Sequence, residues 1–163
     1  MERMAIWGVF VVVLVLAILA RPRPMRIVVG TFFVLMAVGV HGSTVLTDPS
    51  SYLTFANGAL VPIYRDVAVA IVAVNPGAFG LFMLTFELVI ASLILSRGVA
   101  VRVGLWAGVA FLLGITPLGV EEIPNALFAV GLAVLATREY PKGALSEVQD
   151  AIRRRLPRRA TAA

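Results

Sequence analysis

Residues 76–96 read PGAFGLFMLTFELVIASLILS, and Glu87 is the only charged residue in this otherwise apolar run. A helix of about 20 such residues is long enough to cross the hydrocarbon core of a bilayer. Asn75 and Pro76 form a typical helix start, with a capping side chain followed by a proline. A carboxylate near the middle of a span is either held protonated or satisfied by a partner. The segment therefore predicts a transmembrane helix with Glu87 as a candidate functional residue.

The composition of the whole chain indicates a membrane protein. Apolar residues make up 60% of the 163 residues and charged residues 14%, against about 45 to 50% and about 25% in soluble domains. These proportions leave too little polar surface for a soluble globule. At about 20 residues per span, the chain has room for one domain of four or five transmembrane helices and a tail.

Residue counts exclude several classes of site. The chain has no cysteine and a single histidine, His41, which excludes disulfides, thiolate metal sites, iron–sulfur clusters and a haem held by two histidines of one chain. No nucleotide-binding loop, zinc-protease motif or nucleophile elbow is present. We therefore expect no metal site and no self-sufficient catalytic centre, so any redox cofactor would be a diffusing small molecule or belong to a partner. The net charge of +5 lies beside apolar segments, which indicates a lipid surface rather than nucleic acid as the partner.

Apolar runs and their proline boundaries predict an all-α membrane protein with five spans. Four of these spans form a transmembrane bundle, and one extra N-terminal transmembrane helix is expected to lie at its periphery. The predicted spans are residues 4–20, 27–46, 76–96, 99–115, and 121 or 124 to 137.

The same boundaries divide the chain into three parts. Residues 1–24 hold the first helix and a basic, proline-rich turn, residues 25–140 form the four-helix membrane domain, and residues 141–163 form a basic tail. Within the membrane domain, residues 47–75 are expected to be a long outer loop. We expect a short surface helix at 51–60 and an interfacial segment at 67–74, which is too short to span.

The distribution of basic residues predicts the orientation. If five spans alternate, only Arg3 and Arg65 of the 14 Lys and Arg residues lie on the side opposite all the others. Basic residues favour the cytoplasmic side of short loops. We therefore expect the N-terminus outside and the C-terminus in the cytoplasm, in a prokaryotic plasma membrane.

The tail is predicted to form an amphipathic helix. Apolar residues from Leu145 to Leu156 recur there at spacings of three and four, and basic residues lie between them. Docking on anionic lipid and a solvated basic tail are both compatible with this pattern. The residues expected to contact lipid are Arg153, Arg154, Arg155 and Arg158.

Glu87 has two competing interpretations. A proton-carrying carboxyl, or a hydrogen-bonding group in a cavity, would be functional. A protonated side chain bonded to a neighbouring backbone carbonyl would instead lock the helices together. An unfilled polar cavity beside Glu87 would favour a site, whereas a carbonyl or the hydroxyl of Ser43 within hydrogen-bonding distance would favour the structural role.

Five other polar residues are candidates for ligand binding. His41, near the outer end of the second span, could titrate near neutral pH or bind a ligand headgroup, or it could serve as a polar anchor at the interface. Four further residues could line an outward mouth above Glu87, although such residues are also ordinary in loops and at helix starts. These four are Arg65, Asp66, Glu121 and Glu122.

Small residues on the last two spans predict close helix packing. Gly104 and Gly108 form a GxxxG pattern, and Ala126, Ala129 and Ala133 lie on one face of the final helix. Such faces let helix backbones approach each other. They indicate packing within the chain or with a partner, and not chemistry.

Several features occur together from Arg26 onward. Arg26 and Gly30 open a span, a long outer loop ends at Pro76, and the following helix contains Phe86-Glu87-Leu88-Val89. Over residues 26–137 this pattern resembles the DoxX-like family of small four-helix membrane proteins.

The resemblance carries implications for fold and function. It implies a four-helix membrane bundle. Members of the family are associated with quinone-linked oxidation of sulfur compounds and with membrane redox assemblies, while relatives act as accessory or chaperone-like membrane proteins. The chain departs from the family pattern at Ile90-Ala91, where small glycines are frequent, and at His41, near a position that is often lysine.

The leading functional hypothesis is an accessory, non-catalytic membrane subunit of a larger assembly linked to quinone redox chemistry. Small-residue faces, an isolated first span and the lack of a self-sufficient redox centre motivate it. Its partners would be other membrane subunits or further copies of the chain. The first alternative is a quinone-binding oxidoreductase subunit that uses Glu87 for proton transfer. The second alternative is a small transporter or proton pathway.

Overall fold

The chain folds into helices joined by short connections. The computed structural model describes residues 2–155, without the side chains of residues 2, 3, 154 and 155, and this part contains no strand. The predicted all-α fold is therefore confirmed over these residues. A π-helical segment, Met36–Gly42, joins the second and third numbered helices, and two 3-10 turns, Thr116–Leu118 and Val120–Glu122, precede the eighth. The numbered helices are α1 Glu2–Ala20, α2 Pro22–Leu35, α3 Ser43–Thr47, α4 Ser51–Asn57, α5 Pro62–Val74, α6 Pro76–Leu95, α7 Val99–Ile115, α8 Pro124–Ala136 and α9 Ala144–Arg155.

Prolines and one side-chain cap set the helix starts. Proline is the first residue of α2, α5, α6 and α8. An N–H group at this position has no acceptor within the helix, so proline, which lacks the N–H, costs no hydrogen bond there. At the start of α6, the side chain of Asn75 accepts a hydrogen bond from the N–H of Ala78 at 3.0 Å. The predicted start of this helix at Asn75-Pro76 is confirmed.

Three helices in the described part of the chain are long and apolar enough to cross a membrane. They are the continuous helix Pro22–Thr47, α6 and the helix Val99–Leu118, which agrees with a membrane protein. The apolar part of α1 is shorter. The 13 residues of α8 extend about 20 Å at 1.5 Å per residue, against about 30 Å of hydrocarbon. The count of five spans and the orientation therefore stay predictions.

Five helices pack around one hydrophobic core. Going round the bundle, α1 contacts α8, α8 contacts α7, α7 contacts α6, α6 contacts α2, and α2 returns to α1. Each helix contributes buried apolar side chains to the core. One buried example from each is Ile18 of α1, Phe33 of α2, Ile90 of α6, Leu105 of α7 and Leu132 of α8.

The first helix belongs to this core. Val11, Leu14, Val15 and Ile18 of α1 are between 0% and 8% exposed, and their spacing of three and four residues places them on one helix face. That face packs against α8. The expected isolated position of α1 at the periphery is therefore wrong, because the helix has an apolar stripe that its own chain buries.

The connection at residues 47–75 is more ordered than the predicted outer loop. Its surface helix, α4, ends earlier than expected, at Asn57, and α5 begins before the predicted interfacial segment, at Pro62. The two helices pack against each other. Tyr52, Ala56 and Val72 form a small buried cluster between them.

The GxxxG pattern of α7 is used inside the chain. A Cβ on Gly104 would lie 2.6 Å from the Cβ of Leu93 and 2.9 Å from the backbone nitrogen of Ile94, both in α6. A Cβ on Gly108 would lie 2.8 Å from a methyl group of Leu132 in α8. These glycines therefore let α7 pack closely between its two neighbours.

A buried arginine joins one end of the bundle to the tail. The side chain of Arg26, at 0% exposure, donates hydrogen bonds to the backbone carbonyls of Ser96 at 2.9 Å and Lys142 at 3.3 Å. Its guanidinium lies 3.2 Å from a carboxylate oxygen of Glu147 and 4.7 Å from the ring centre of Tyr140. Arg26 thus links α2, the turn after α6, and α9. The sequence identified it only as a residue that opens a span, with no sign of these partners.

Replacing Gly104 by Ala should destabilise the protein by about 1 to 3 kcal/mol, because the new methyl group would meet the backbone of α6 and not only flexible side chains. Gly114→Ala is the matched control on the same helix, since a Cβ there meets nothing within 4 Å. Thermal unfolding in detergent measures both. Equal melting temperatures for the two variants would contradict the packing of α7 on α6.

Replacing Arg26 by Leu should lower the free energy of unfolding by about 3 kcal/mol or more, since it breaks a buried ion pair and leaves buried carbonyls without donors. Arg102→Leu is the control. Arg102 is 47% exposed and lies 3.8 Å from Glu139, which is 89% exposed, so its loss should change stability by less than about 1 kcal/mol. Chemical denaturation in mild detergent distinguishes the two variants, and similar losses would argue against the role of Arg26.

Candidate functional site

A cavity of about 810 Å³ lies beside Glu87. Its walls come from the helix Pro22–Thr47, from α4 and α5, and from α6 and α7. Most of the lining is apolar, and examples are Met36, Phe79, Met83 and Phe111. Ligand pockets of about 300 to 1,000 Å³ with apolar walls and a few polar groups are typical of small-molecule sites. The cavity has the size and composition of such a site.

Glu87, His41 and Tyr52 form a polar chain in the cavity wall. The carboxyl group of Glu87 is buried, and its Oε2 atom lies 3.5 Å from Nε2 of His41. On the other side of the imidazole ring, Nδ1 of His41 lies 2.8 Å from the hydroxyl oxygen of Tyr52. The imidazole therefore lies between a carboxyl group and a phenol.

The surroundings of Glu87 differ from those expected of a purely structural carboxyl. No hydrogen-bond partner contacts its buried Oε2 atom, although buried polar atoms are normally paired. The hydroxyl of Ser43 donates instead to the carbonyls of Gly39 and Val40. Glu87 thus lines a mostly apolar cavity, and Ser43 does not lock it in place.

The π-helical segment carries His41. Residues 36–42 make wider turns than an α-helix, and such insertions are frequent at functional sites. Downstream, Ser43 bonds back into this segment and Thr47 donates to the carbonyl of Ser43 at 2.8 Å. The wider turn sets the direction in which His41 leaves the helix.

Tyr52 reaches the site because Gly80 leaves room for it. A Cβ on Gly80 would lie 2.6 Å from the ring of Tyr52 and 2.5 Å from a methyl group of Val45. The ring of Tyr52 stacks on His41, with 5.8 Å between ring centres, and meets the edge of Phe79 at 5.5 Å. Close packing of α4 on α6 therefore positions the phenol.

The electrostatics of Tyr52 keep its proton in place. Burial raises the pKa of Tyr52 above its usual value, and the nearby carboxyl of Glu87 raises it further, while a hydrogen bond with Thr44 lowers it. Tyr52 is therefore a neutral hydroxyl at physiological pH. A carboxyl, an imidazole and a phenol in this order can hydrogen-bond a ligand headgroup or pass a proton along the chain.

Glu122 lies in another part of the cavity wall. The side-chain amide of Asn125 donates to its carboxylate at 2.5 Å, and Nε1 of Trp7 donates to the amide oxygen of Asn125 at 3.2 Å. Asn125 is only 2% exposed. Burial raises the pKa of Glu122, the hydrogen bond from Asn125 lowers it, and Glu121 raises it.

The other residues of the predicted outward mouth lie apart from the cavity. Arg65 and Asp66 are 3.7 Å from each other, with side chains 45% and 75% exposed, and neither belongs to the lining. Glu121 is also exposed and outside the lining. The structure thus brings Glu87, His41 and Glu122 to one cavity and leaves Arg65, Asp66 and Glu121 outside it.

The tail helix presents an apolar face to its surroundings. Leu145, Val148 and Ile152 of α9 are 74%, 39% and 54% exposed, and Arg153 is exposed beside them. The side chains of Arg154 and Arg155, and the whole of Arg158, lie outside the described residues.

Several site residues escaped the sequence analysis. Tyr52 and Tyr64 both line the cavity, and neither was among the candidate residues. The hydroxyl of Tyr64 donates to the carbonyl of Gly114. Asn125 also escaped it, and its place beside Pro124 at a helix start was the only available signal. Among the described residues, no group of three or more His, Cys, Asp or Glu side chains could hold a metal ion.

Comparison of the chain with protein-family models, curated proteins and solved structures found no match. The resemblance to the DoxX-like family therefore receives no support from these comparisons and stays a prediction.

Replacing Glu122 by Gln should stabilise the protein increasingly as the pH rises from about 4 to 8. Because the pKa of Glu122 is raised in the folded state, its bound proton contributes stability at low pH, and this stability is lost as the pH rises through that pKa. Glutamine keeps an acceptor for Asn125 and removes the titration. The difference in melting temperature between variant and wild type measures the effect. A difference that is constant with pH, like that expected of the exposed Glu139→Gln control, would contradict it.

Proposed function

We propose that this protein is an integral membrane protein that binds a lipophilic small molecule of the quinone class in the cavity beside Glu87. The observation that carries the proposal is the polar chain of Glu87, His41 and Tyr52 at the wall of a mostly apolar cavity. A quinone has an apolar tail and ring for the walls, and carbonyl oxygens that accept hydrogen bonds. The imidazole, the phenol and a protonated carboxyl can all donate such bonds.

The residues of the site can handle protons but not electrons. Quinone reduction takes up two protons and two electrons, and the chain of Glu87, His41 and Tyr52 can supply or accept the protons. The sequence holds no cysteine and one histidine, so electrons would come from a redox centre in a partner. The proposal therefore includes a second membrane subunit as the electron donor or acceptor.

A purely accessory role has less support than ligand binding. Its motivation was an isolated first span and small-residue faces free for a partner. The chain itself buries the inner face of α1 and packs Gly104 and Gly108 against α6 and α8. The transporter alternative likewise has no support beyond the cavity and its acidic side chains.

The membrane arrangement that fits this function has five spans, with the N-terminus outside and α9 at the cytoplasmic surface of a prokaryotic plasma membrane. The basic residues support this orientation, because only Arg3 and Arg65 fall on the other side. The exposed apolar residues of α9, with Arg153 beside them, support contact between the tail and anionic lipid.

A short-chain quinone should bind the purified protein saturably, and Glu87→Leu, whose side chain has no donor, should weaken binding by about tenfold, which is the cost of one lost hydrogen bond. Isothermal titration in neutral detergent measures the affinity. Glu139→Leu is the matched control, because this exposed carboxyl lies outside the lining. Saturable binding that does not change in Glu87→Leu would count against the site.

A further inference from the structure

The ionisable groups of the cavity wall include acids but no lysine or arginine. Two carboxyl groups line it, Glu87 and Glu122, together with a single imidazole, His41. No Lys or Arg side chain of the described residues lines it, although the chain contains 14 such residues. A low-dielectric cavity with acids and no fixed positive charge attracts cations and disfavours anions.

The carboxyl group of Glu87 lacks a full set of hydrogen-bond partners in this cavity. The residue is 3% exposed, and its buried Oε2 atom has no hydrogen-bond partner. The nearest basic atom, Nε2 of His41, is 3.5 Å away, which is longer than a good hydrogen bond. A buried carboxylate oxygen without a partner is unfavourable, and a positively charged group in the cavity would provide the missing interaction.

Aromatic rings surround the same space. Their faces are electron-rich and attract a desolvated cation near the ring centre. Rings of this kind form the usual recognition site of quaternary ammonium groups. The aromatic lining residues are Tyr52, Phe55, Tyr64, Phe79 and Phe111.

We infer that the cavity binds lipophilic organic cations, such as an ammonium or phosphonium ion with apolar substituents, and that Glu87 is the counter-ion. The inference rests on the proposed function, because it concerns the same cavity and adds charge as a criterion of selection. A neutral quinone and a lipophilic cation share the apolar walls. They differ in Glu87, which hydrogen-bonds the first and neutralises the second.

Two ions of nearly equal size and opposite charge test this selectivity. Tetraphenylphosphonium and tetraphenylborate differ in the sign of the central charge, so apolar packing cannot distinguish them. Equilibrium dialysis of each radiolabelled ion against the purified chain in neutral detergent should show saturable binding of the cation and none of the anion. Glu87→Gln should weaken cation binding by at least about tenfold, and the exposed Glu139→Gln should leave it unchanged.

Glu87→Asp keeps the test decisive if the glutamine variant folds poorly. It retains the negative charge, so it should still bind the cation saturably and reject the anion, a result that needs no comparison with Glu87→Gln. Saturable quinone binding without cation binding would overturn the inference and leave the proposed function standing. Absence of binding by both ligands would overturn both. Equal binding of the two ions, or cation binding that is the same in wild type and Glu87→Gln, would also overturn the inference.

Discussion

A charged group inside a membrane protein must be neutralised or paired, because neither lipid nor apolar side chains can replace water. Among the side chains that the structure describes, the buried Arg26 and Glu87 meet this constraint differently. Arg26 has carbonyl, carboxylate and aromatic partners from three parts of the chain, and it holds the bundle and the tail helix together. Glu87 has one long contact, from its Oε2 atom to His41, and that oxygen has no hydrogen-bond partner. Within the described residues, Arg26 thus finds several partners in the chain itself and leaves only its Nε atom unpaired, whereas we propose that a ligand completes the surroundings of Glu87.

The features that depend on local sequence could be predicted. Hydrophobic length located the three helices that are long and apolar enough to cross a membrane, Asn75 and Pro76 located the start of α6, and the isolated charge of Glu87 pointed to a residue that lines the cavity. His41 and Glu122 were also among the candidates. Each of these predictions uses only the cost of placing a residue type in lipid or at a helix end. Such costs belong to single residues, so one sequence is enough to estimate them.

The features that depend on tertiary contacts could not be predicted. Nothing local distinguishes Arg26, which is buried, from the other basic residues at the ends of spans. The apolar face of α1 is buried only because α8 lies against it. Tyr52 joins the site because Gly80 lets its ring pass close to α6, a contact between distant segments. Arg65 and Asp66 were predicted to lie near Glu87 because they belong to the connection at residues 47–75. Their side chains are exposed instead.

The direction in which His41 leaves its helix depends on the number of residues in the π-helical segment. A helix that passes through Met36–Gly42 contains wider turns, and a wider turn usually holds one more residue than an α-helical turn. Each residue of an α-helix advances the side-chain direction by about 100°. The pairing of His41 with Glu87 and Tyr52 is thus coupled to the length of this segment as well as to the identities of the three side chains. The loss or gain of a single residue there would redirect the imidazole while leaving every apolar span intact.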